Sequence, residues 1–240
     1  MASEPAPSQA ASDLASRLER LVAEAVRGGA SMEDIARLKD PEVRTPAQAL
    51  EALKRGNERF FGGSTSGAQV TANQRRAQIM AQTPFAAIIG CADSRVPVEI
   101  VFDQGLGDLY IVRIAGNVLD AAVLGSMEYA LTHLKCHLVV VLGHEGCGAV
   151  KTAMLPPEAT AGEPEHVRYL ADAIRPAVAD VPALLDPKAR MREAVVRHVH
   201  AQVRALRLNP VVNEASGRGA VDVIGAFYEI SSGAVDFFEV

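Results

Sequence analysis

The sequence predicts an α/β fold: a mainly parallel β-sheet flanked by helices, with an antiparallel C-terminal edge strand and an N-terminal helical arm. Short runs of apolar, often β-branched residues lack polar alternation, which is typical of strands buried on both faces of a parallel sheet. Segments with helical spacing separate these runs, as crossover connections require. A Ser-Ser-Gly turn divides the last two strand candidates, 220–230 and 234–239, and favours a hairpin there.

The first 45 residues differ in pattern from the remainder of the chain. Residues 1–11 are rich in Ala, Ser and Pro and predict disorder. Apolar residues at helical spacing predict a helix over 13–26 and a shorter one over 31–38. This arm could pack on a partner subunit or act as a mobile tether, and the sequence favours neither. We therefore divide the chain into an N-terminal extension, 1–45, and one domain, 46–240.

The domain alternates helical and strand patterns along its length. Pro46 suits the first turn of a helix. Between residues 150 and 208 the pattern is helical, with breaks expected at the Pro156-Pro157 pair and at Pro176, Pro182 and Pro187. Ahead of that region we expect helices over 46–61 and 71–82, and strands over 85–90, 109–114 and 138–142.

Composition and charge limit the classes of partner. The net charge is −5 and the Lys and Arg residues are scattered, so we expect no nucleic-acid partner. There is no apolar run near the roughly 18–20 residues that span a bilayer, so we expect no membrane partner. The stretch from Met1 to Gln9 is polar, without the hydrophobic region of a secretory signal peptide. Three cysteines are too few for a disulfide framework. Cys91 and Cys147 would need to be reduced to bind a metal, which favours the cytoplasm.

Metal-binding residue types follow two of the predicted strands. Cys91 and Asp93 come directly after strand 85–90, and His144 and Cys147 come just after strand 138–142. The carboxyl ends of parallel strands form binding sites, so the two segments are expected to meet. Thiolate, imidazole and carboxylate groups suit a four-coordinate Zn²⁺ ion. A disulfide between Cys91 and Cys147 is the structural alternative, which a reducing compartment disfavours.

The other cysteine and histidines lack a comparable setting. Cys136 lies in an apolar stretch and is expected to be a small buried hydrophobe. Cys147 is expected to open a helix, where the helix N-terminus lowers a thiol pKa. His198 and His200 lie among Arg and Val residues on a predicted helix, and we expect both at its surface.

Two motifs resemble the signatures of the bacterial type of β-class carbonic anhydrase. The first is 91–117, which begins Cys-Ala-Asp-Ser-Arg, and the second is 143–149, Gly-His-Glu-Gly-Cys-Gly-Ala. The segment 125–130 between them also matches, and the resemblance covers about 46–240 as a catalytic domain. It implies a zinc lyase, carbonate dehydratase, with one Zn²⁺ per subunit. It also implies a small-molecule substrate, carbon dioxide or bicarbonate, and a homodimer or a dimer of dimers.

The resemblance assigns roles by position. Cys91, His144 and Cys147 would be the constant zinc ligands. Asp93 would either complete the zinc shell or pair with Arg95 and leave the fourth position to water. The implied substrate-binding residues are Gln82, usually supplied to the facing subunit, Tyr110, Tyr129 and Gly148.

The implied reaction is the reversible hydration of carbon dioxide to bicarbonate and a proton by attack of a zinc-bound hydroxide. A switch of Asp93 from Arg95 to zinc would displace water and stop activity. Hydrolysis of carbon disulfide or carbonyl sulfide on the same scaffold is an alternative, and a non-catalytic zinc-binding scaffold is another. The chain has no Trp, so we do not expect the inhibitory bicarbonate pocket that some bacterial members build with one.

Overall fold

The computed structural model describes residues 20, 24, 27–29, 43–66, 75, 78–79 and 82–238. The helices predicted over 13–26, 31–38 and 71–82 lie almost entirely outside these residues. The predicted division of the chain at residue 45 therefore stays a prediction. Among the described residues, no helix is both long and apolar enough to cross a membrane.

A five-stranded sheet forms the centre of the described domain. Its spatial order is β2-β1-β3-β4-β5, and every neighbouring pair is parallel except β4 and β5. This confirms the predicted mainly parallel sheet with an antiparallel C-terminal strand. The strands are β1 (Ala86–Gly90), β2 (Leu109–Arg113), β3 (Leu138–His144), β4 (Asp222–Tyr228) and β5 (Val235–Phe238).

Helices connect and cover these strands. The first starts as the sequence predicts: the Thr45 side chain accepts a hydrogen bond from the backbone N–H of Gln48, and Pro46 occupies the first turn. The helices are α1 (Pro46–Phe61), α2 (Val98–Val101), α3 (Ala121–Thr132), α4 (Gly148–Ala153), α5 (Glu165–Val178), α6 (Pro187–Arg207) and α7 (Pro210–Gly217). Two 3-10 turns, Ala115–Asn117 and Pro157–Thr160, complete the described elements.

The sheet separates two apolar layers. Every residue of β1 and β3 is buried, which explains why their sequences show no polar alternation. Alternate residues of each strand belong to different layers: Ile89 and Val141 pack with helices α3 to α7, whereas Ile88 and Val140 pack with α1 and α2. Cys91 and Cys147 belong to the first of these layers.

Two local predictions are wrong. Pro176 does not break the helical pattern but lies inside α5, two residues before its end at Val178. A proline there removes only one late backbone hydrogen bond, and the buried Ile174 and Val178 anchor the last turns of the helix. Strand β3 also continues past Leu142 and ends with His144 itself. Its pairing with β4 extends to His144, opposite Tyr228.

Candidate metal centre

Three predicted ligands converge at the carboxyl edge of the sheet. Cys91 immediately follows β1, and His144 is the last residue of the neighbouring strand β3. Gly146, with φ of 66°, turns the chain so that Cys147 caps the N-terminus of α4. The Sγ atoms of the two cysteines and a ring nitrogen of His144 all lie within 4.8 Å of one another, and all three residues are buried.

The donor atoms suit a zinc ion. In a tetrahedral zinc site, ligand atoms at about 2.0–2.3 Å from the metal lie roughly 3.5–3.8 Å apart. The Nδ1 atom of His144 is 2.9 Å from the backbone oxygen of Glu145, and that hydrogen bond makes Nδ1 the protonated nitrogen. Nε2 is then a bare acceptor, and among the described residues this buried atom has no hydrogen-bond partner. An orphaned imidazole nitrogen beside two thiols fits a metal ligand.

The two thiols have opposite proton affinities. A hydrogen bond from the Cys147 thiol lowers the pKa of Cys91 to about 4 despite its burial. The Cys91 thiolate and burial together raise the pKa of Cys147. The first proton therefore leaves easily, whereas loss of the second would place two negative charges side by side in the protein interior. A bound cation would remove that penalty.

Backbone contacts hold the Cys91 loop in place. The N–H of Gly116 donates to Cys91 Sγ over 3.4 Å. Arg113 Nε donates to the backbone oxygen of Cys91 over 3.0 Å, and its Nη2 donates to that of Asp93. We did not predict a role for Arg113. The sequence does contain one signal for such a role, because Arg113 is the charged last residue of an otherwise apolar strand. In the sheet it pairs with Gly90, the residue before Cys91.

Asp93 pairs with Arg95 in this structure. Arg95 Nε and Nη2 lie 3.0 and 2.8 Å from the two carboxylate oxygens, and the Arg95 backbone N–H also donates to Oδ1. These hydrogen bonds hold the pKa of Asp93 well below its usual range. The arrangement is the second of the two considered from the sequence, and Asp93 lies outside the group of three clustered ligand atoms. Its role toward zinc stays a prediction.

Comparisons with known proteins agree with this geometry. The carbonic anhydrase family model matches residues 86–235. Carbonic anhydrase 2 of Mycobacterium tuberculosis is 41% identical over 189 residues, which cover 78% of this chain and 90% of that protein. The chain belongs to the β-carbonic anhydrase family.

Solved structures of β-carbonic anhydrases share the fold. The Coccomyxa enzyme in complex with acetazolamide has a TM-score of 0.61 at 27% identity, covering 71% of this chain and 86% of that one. A tetrameric β-carbonic anhydrase of Sordaria macrospora has a TM-score of 0.62 at 25% identity, covering 67% and 83% of the two chains.

The residues predicted to bind substrate lie in different surroundings. Gln82 is exposed, four residues before β1, and Gly148 is exposed at the start of α4. Tyr110 of β2 and Tyr129 of α3 face each other, with their ring centroids 6.3 Å apart. Tyr110 contacts the apolar layer that contains Cys91, whereas Tyr129 is largely exposed. Roles for these residues in a β-carbonic anhydrase site stay predictions.

The histidine prediction is half wrong. His198 is not at the surface but fully buried on the inner face of α6, where its Nε2 lies 2.7 Å from the backbone oxygen of Gly116. The surrounding Arg residues suggested exposure, but Val195 and Val199 of the same helix face the sheet. His200 is half-buried, with its ring packed edge-on against Phe238.

The cysteine predictions agree with the structure except for the pKa of Cys147. Cys147 does open a helix, α4, but the pKa of its thiol is raised and not lowered, because the Cys91 thiolate and burial outweigh the backbone N–H groups at the helix start. Cys136 is 1% exposed, and burial raises the pKa of its thiol to about 12, as a buried hydrophobe requires. All three cysteines lie within the described residues and are free, so Cys91 and Cys147 do not form the alternative disulfide.

Proposed function

We propose that this chain catalyses the reversible hydration of carbon dioxide to bicarbonate and a proton, with one Zn²⁺ per subunit held by Cys91, His144 and Cys147. The observation that carries the proposal is the buried His144 Nε2, which has no hydrogen-bond partner within the described part of the chain and lies beside two thiols in a member of the β-carbonic anhydrase family. Zinc, when bound, supplies the Lewis acid that makes water nucleophilic near neutral pH.

The Asp93–Arg95 pair controls the orientation of the attacking water. Because Arg95 keeps Asp93 ionised, the carboxylate accepts a hydrogen bond from that water and directs its lone pair toward carbon dioxide. The same pairing holds Asp93 away from the metal. With a pKa far below 7, Asp93 is an acceptor and does not carry the product proton away.

The substrate is small and apolar, so its pocket needs apolar walls and few donors. We assign these walls to Tyr110, Tyr129 and the buried Val118, with the backbone of Gly148 beside the substrate. Gln82 serves as a hydrogen-bond donor. Its exposure in a single chain suits a residue offered to the site of a facing subunit.

The assembly we propose is a homodimer or a dimer of dimers. In the described chain β2 is an edge strand, so one side of its backbone hydrogen-bond ladder is open to a second copy. A tetrameric relative supports the larger assembly. We assign residues 1–45 to an extension outside the catalytic domain. The reduced thiols of the centre favour a cytoplasmic location.

Reconstitution tests the proposal. The protein is stripped of metal with a chelator under reducing conditions, then titrated with Zn²⁺ while stopped-flow measures carbon dioxide hydration at alkaline pH. We expect activity to rise linearly and level off at one Zn²⁺ per chain. Zinc uptake without hydration would overturn the catalytic proposal in favour of a scaffold role. Zinc-dependent hydrolysis of carbon disulfide without hydration of carbon dioxide would overturn the proposed substrate.

A further inference from the structure

We propose that His198 is a positioning residue for the metal centre: its Nε2–H fixes Gly116 so that the Gly116 backbone N–H points at the Cys91 sulfur. His198 touches neither substrate nor metal, and it acts through this backbone segment. The inference rests on the proposed metal centre and adds a residue from α6, more than fifty positions from any ligand in sequence.

His198 is a buried hydrogen-bond donor with a single target. Its side chain is fully buried in the middle of α6, and Nε2 lies 2.7 Å from the Gly116 oxygen. A ring nitrogen at that distance from a carbonyl must carry the hydrogen. Burial lowers the pKa of His198, so the ring is neutral and Nε2–H is its one donor. Among the described residues, its Nδ1 has no partner.

Gly116 is confined by its neighbours as well as by His198. Its φ of 70° and ψ of 17° are left-handed, a conformation that favours glycine. A Cβ atom at this position would lie 2.7 Å from Ile174 Cδ1 and 2.9 Å from Ala149 Cβ. The Gly116 carbonyl accepts the hydrogen bond from His198, and the Gly116 N–H donates the one to Cys91 Sγ. Both hydrogen bonds therefore belong to one residue with little freedom to move.

The N–H···S bond changes what Cys91 offers to a metal. A buried thiolate without a donor is costly, and a hydrogen bond to sulfur stabilises its charge. The same bond draws electron density from the sulfur, so the thiolate donates less charge to the metal. Two thiolate ligands would donate much negative charge to a metal and so hinder the ionisation of water bound to it. The hydrogen bond to Cys91 offsets part of this effect. Groups that support ligands in this way commonly tune a metal site.

Cobalt(II) substitution tests the inference with readouts other than activity. The variants are His198→Leu, which removes the donor at similar volume, and His198→Gln, whose amide keeps a donor at similar reach. His200→Leu is the matched control, two residues along the same helix but packed on Phe238. The measurements are the Co²⁺ dissociation constant, by chelator competition, and the wavelength of the thiolate-to-Co²⁺ charge-transfer band.

We expect His198→Leu to weaken Co²⁺ binding by about 10- to 100-fold, because the buried Cys91 thiolate loses the donor that stabilises and positions it. The band should move to longer wavelength, because the sulfur then gives up charge to Co²⁺ more easily. His198→Gln and His200→Leu should stay near the wild type in both readouts. If His198→Leu does not fold by circular dichroism, His198→Asn, whose amide is too short to reach Gly116, takes its place.

The outcomes separate this inference from the proposed function. A donor-less variant that folds and keeps the wild-type band and affinity would overturn the role of His198. A glutamine variant that folds but behaves like the leucine variant would also overturn it. A wild-type protein that binds Co²⁺ without a thiolate charge-transfer band would overturn the proposed metal centre itself.

Discussion

The two ends of strands β1 and β3 offer similar residue types but different chemistry. At the amino edge, Cys136 and His137 directly precede β3, and the Cys136 thiol lies 3.5 Å from the backbone oxygen of Pro84. At the carboxyl edge, two cysteines and His144 bring their ligand atoms within 4.8 Å of one another. Each edge therefore carries cysteine and histidine, and only the carboxyl edge gathers them into a group.

Burial alone does not explain this difference, because Cys136 and Cys91 are both buried, at 1% and 5% exposure. Their neighbours differ. Cys136 is buried among apolar groups, and this desolvation raises the pKa of its thiol to about 12. Cys91 meets a second thiol, an imidazole and a backbone N–H, and its pKa falls to about 4. The groups around Cys91 therefore favour the thiolate that a metal requires, whereas the surroundings of Cys136 disfavour it.

Replacing one cysteine at each edge should produce the largest contrast. We expect Cys147→Ala to lose zinc and to reduce carbon dioxide hydration by more than about 100-fold, since even groups that only support ligands are worth 10- to 100-fold. Cys136→Ala should keep zinc and activity and lose about 1 kcal/mol of stability. Zinc analysis, stopped-flow and thermal unfolding measure these effects. Equal losses of zinc in the two variants would contradict the contrast between the edges.

Asp93→Asn should separate metal binding from catalysis at the carboxyl edge. The amide has the shape of the carboxylate but no charge, so it cannot orient water as strongly. We expect kcat to fall about 100-fold while zinc content stays at one per chain. Stopped-flow on metal-analysed protein makes the comparison, and unchanged kcat would remove Asp93 from the mechanism.

Arg113→Leu should show a smaller effect on the same edge. It removes the two hydrogen bonds that hold the Cys91 loop, and we expect zinc affinity to fall about tenfold. Arg192→Leu is the control, because Arg192 pairs with Asp236 and stacks on Phe227. Chelator competition measures both, and an equal loss of affinity in the control would mean that Arg113 has no specific part.

The buried thiol of Cys136 at the amino edge should make the stability of the fold depend on pH in alkaline solution. Above about pH 8.5 the Cys136 thiol ionises in the unfolded chain but stays protonated in the fold, where its pKa is about 12. The folded state then binds more protons, so its stability falls as pH rises. Between about pH 8.5 and pH 12, the free energy of unfolding of the zinc-saturated wild type should fall by about 1.4 kcal/mol per pH unit relative to that of Cys136→Ala. Parallel denaturation curves would contradict this.

Much of this organisation can be predicted from the sequence because it depends on local patterns. The buried runs predict the five strands to within two residues at each end, and the position of Cys91 after a strand predicts which edge it occupies. The two motifs add the family, which the comparisons show.

The contacts between distant segments could not be predicted. Arg113 supports Cys91 only because β2 pairs in register with β1, and His198 reaches Gly116 only because α6 packs its Val-rich face on the sheet. The state of Asp93 depends on side-chain geometry beside Arg95, for which the residue types allow two arrangements. Such contacts depend on how distant segments pack, and this packing cannot be predicted from the residues next to each position in the sequence.

X-ray absorption of the zinc-loaded wild type tests the central claim most directly, since it counts the ligand atoms around the metal. If Cys91, His144 and Cys147 hold the ion, the spectrum at the zinc edge requires two sulfur atoms at about 2.3 Å and one imidazole nitrogen at about 2.0–2.1 Å. Cys136→Ala should give the same shell. A shell with fewer than two sulfur atoms in the reduced wild-type protein would contradict the claim.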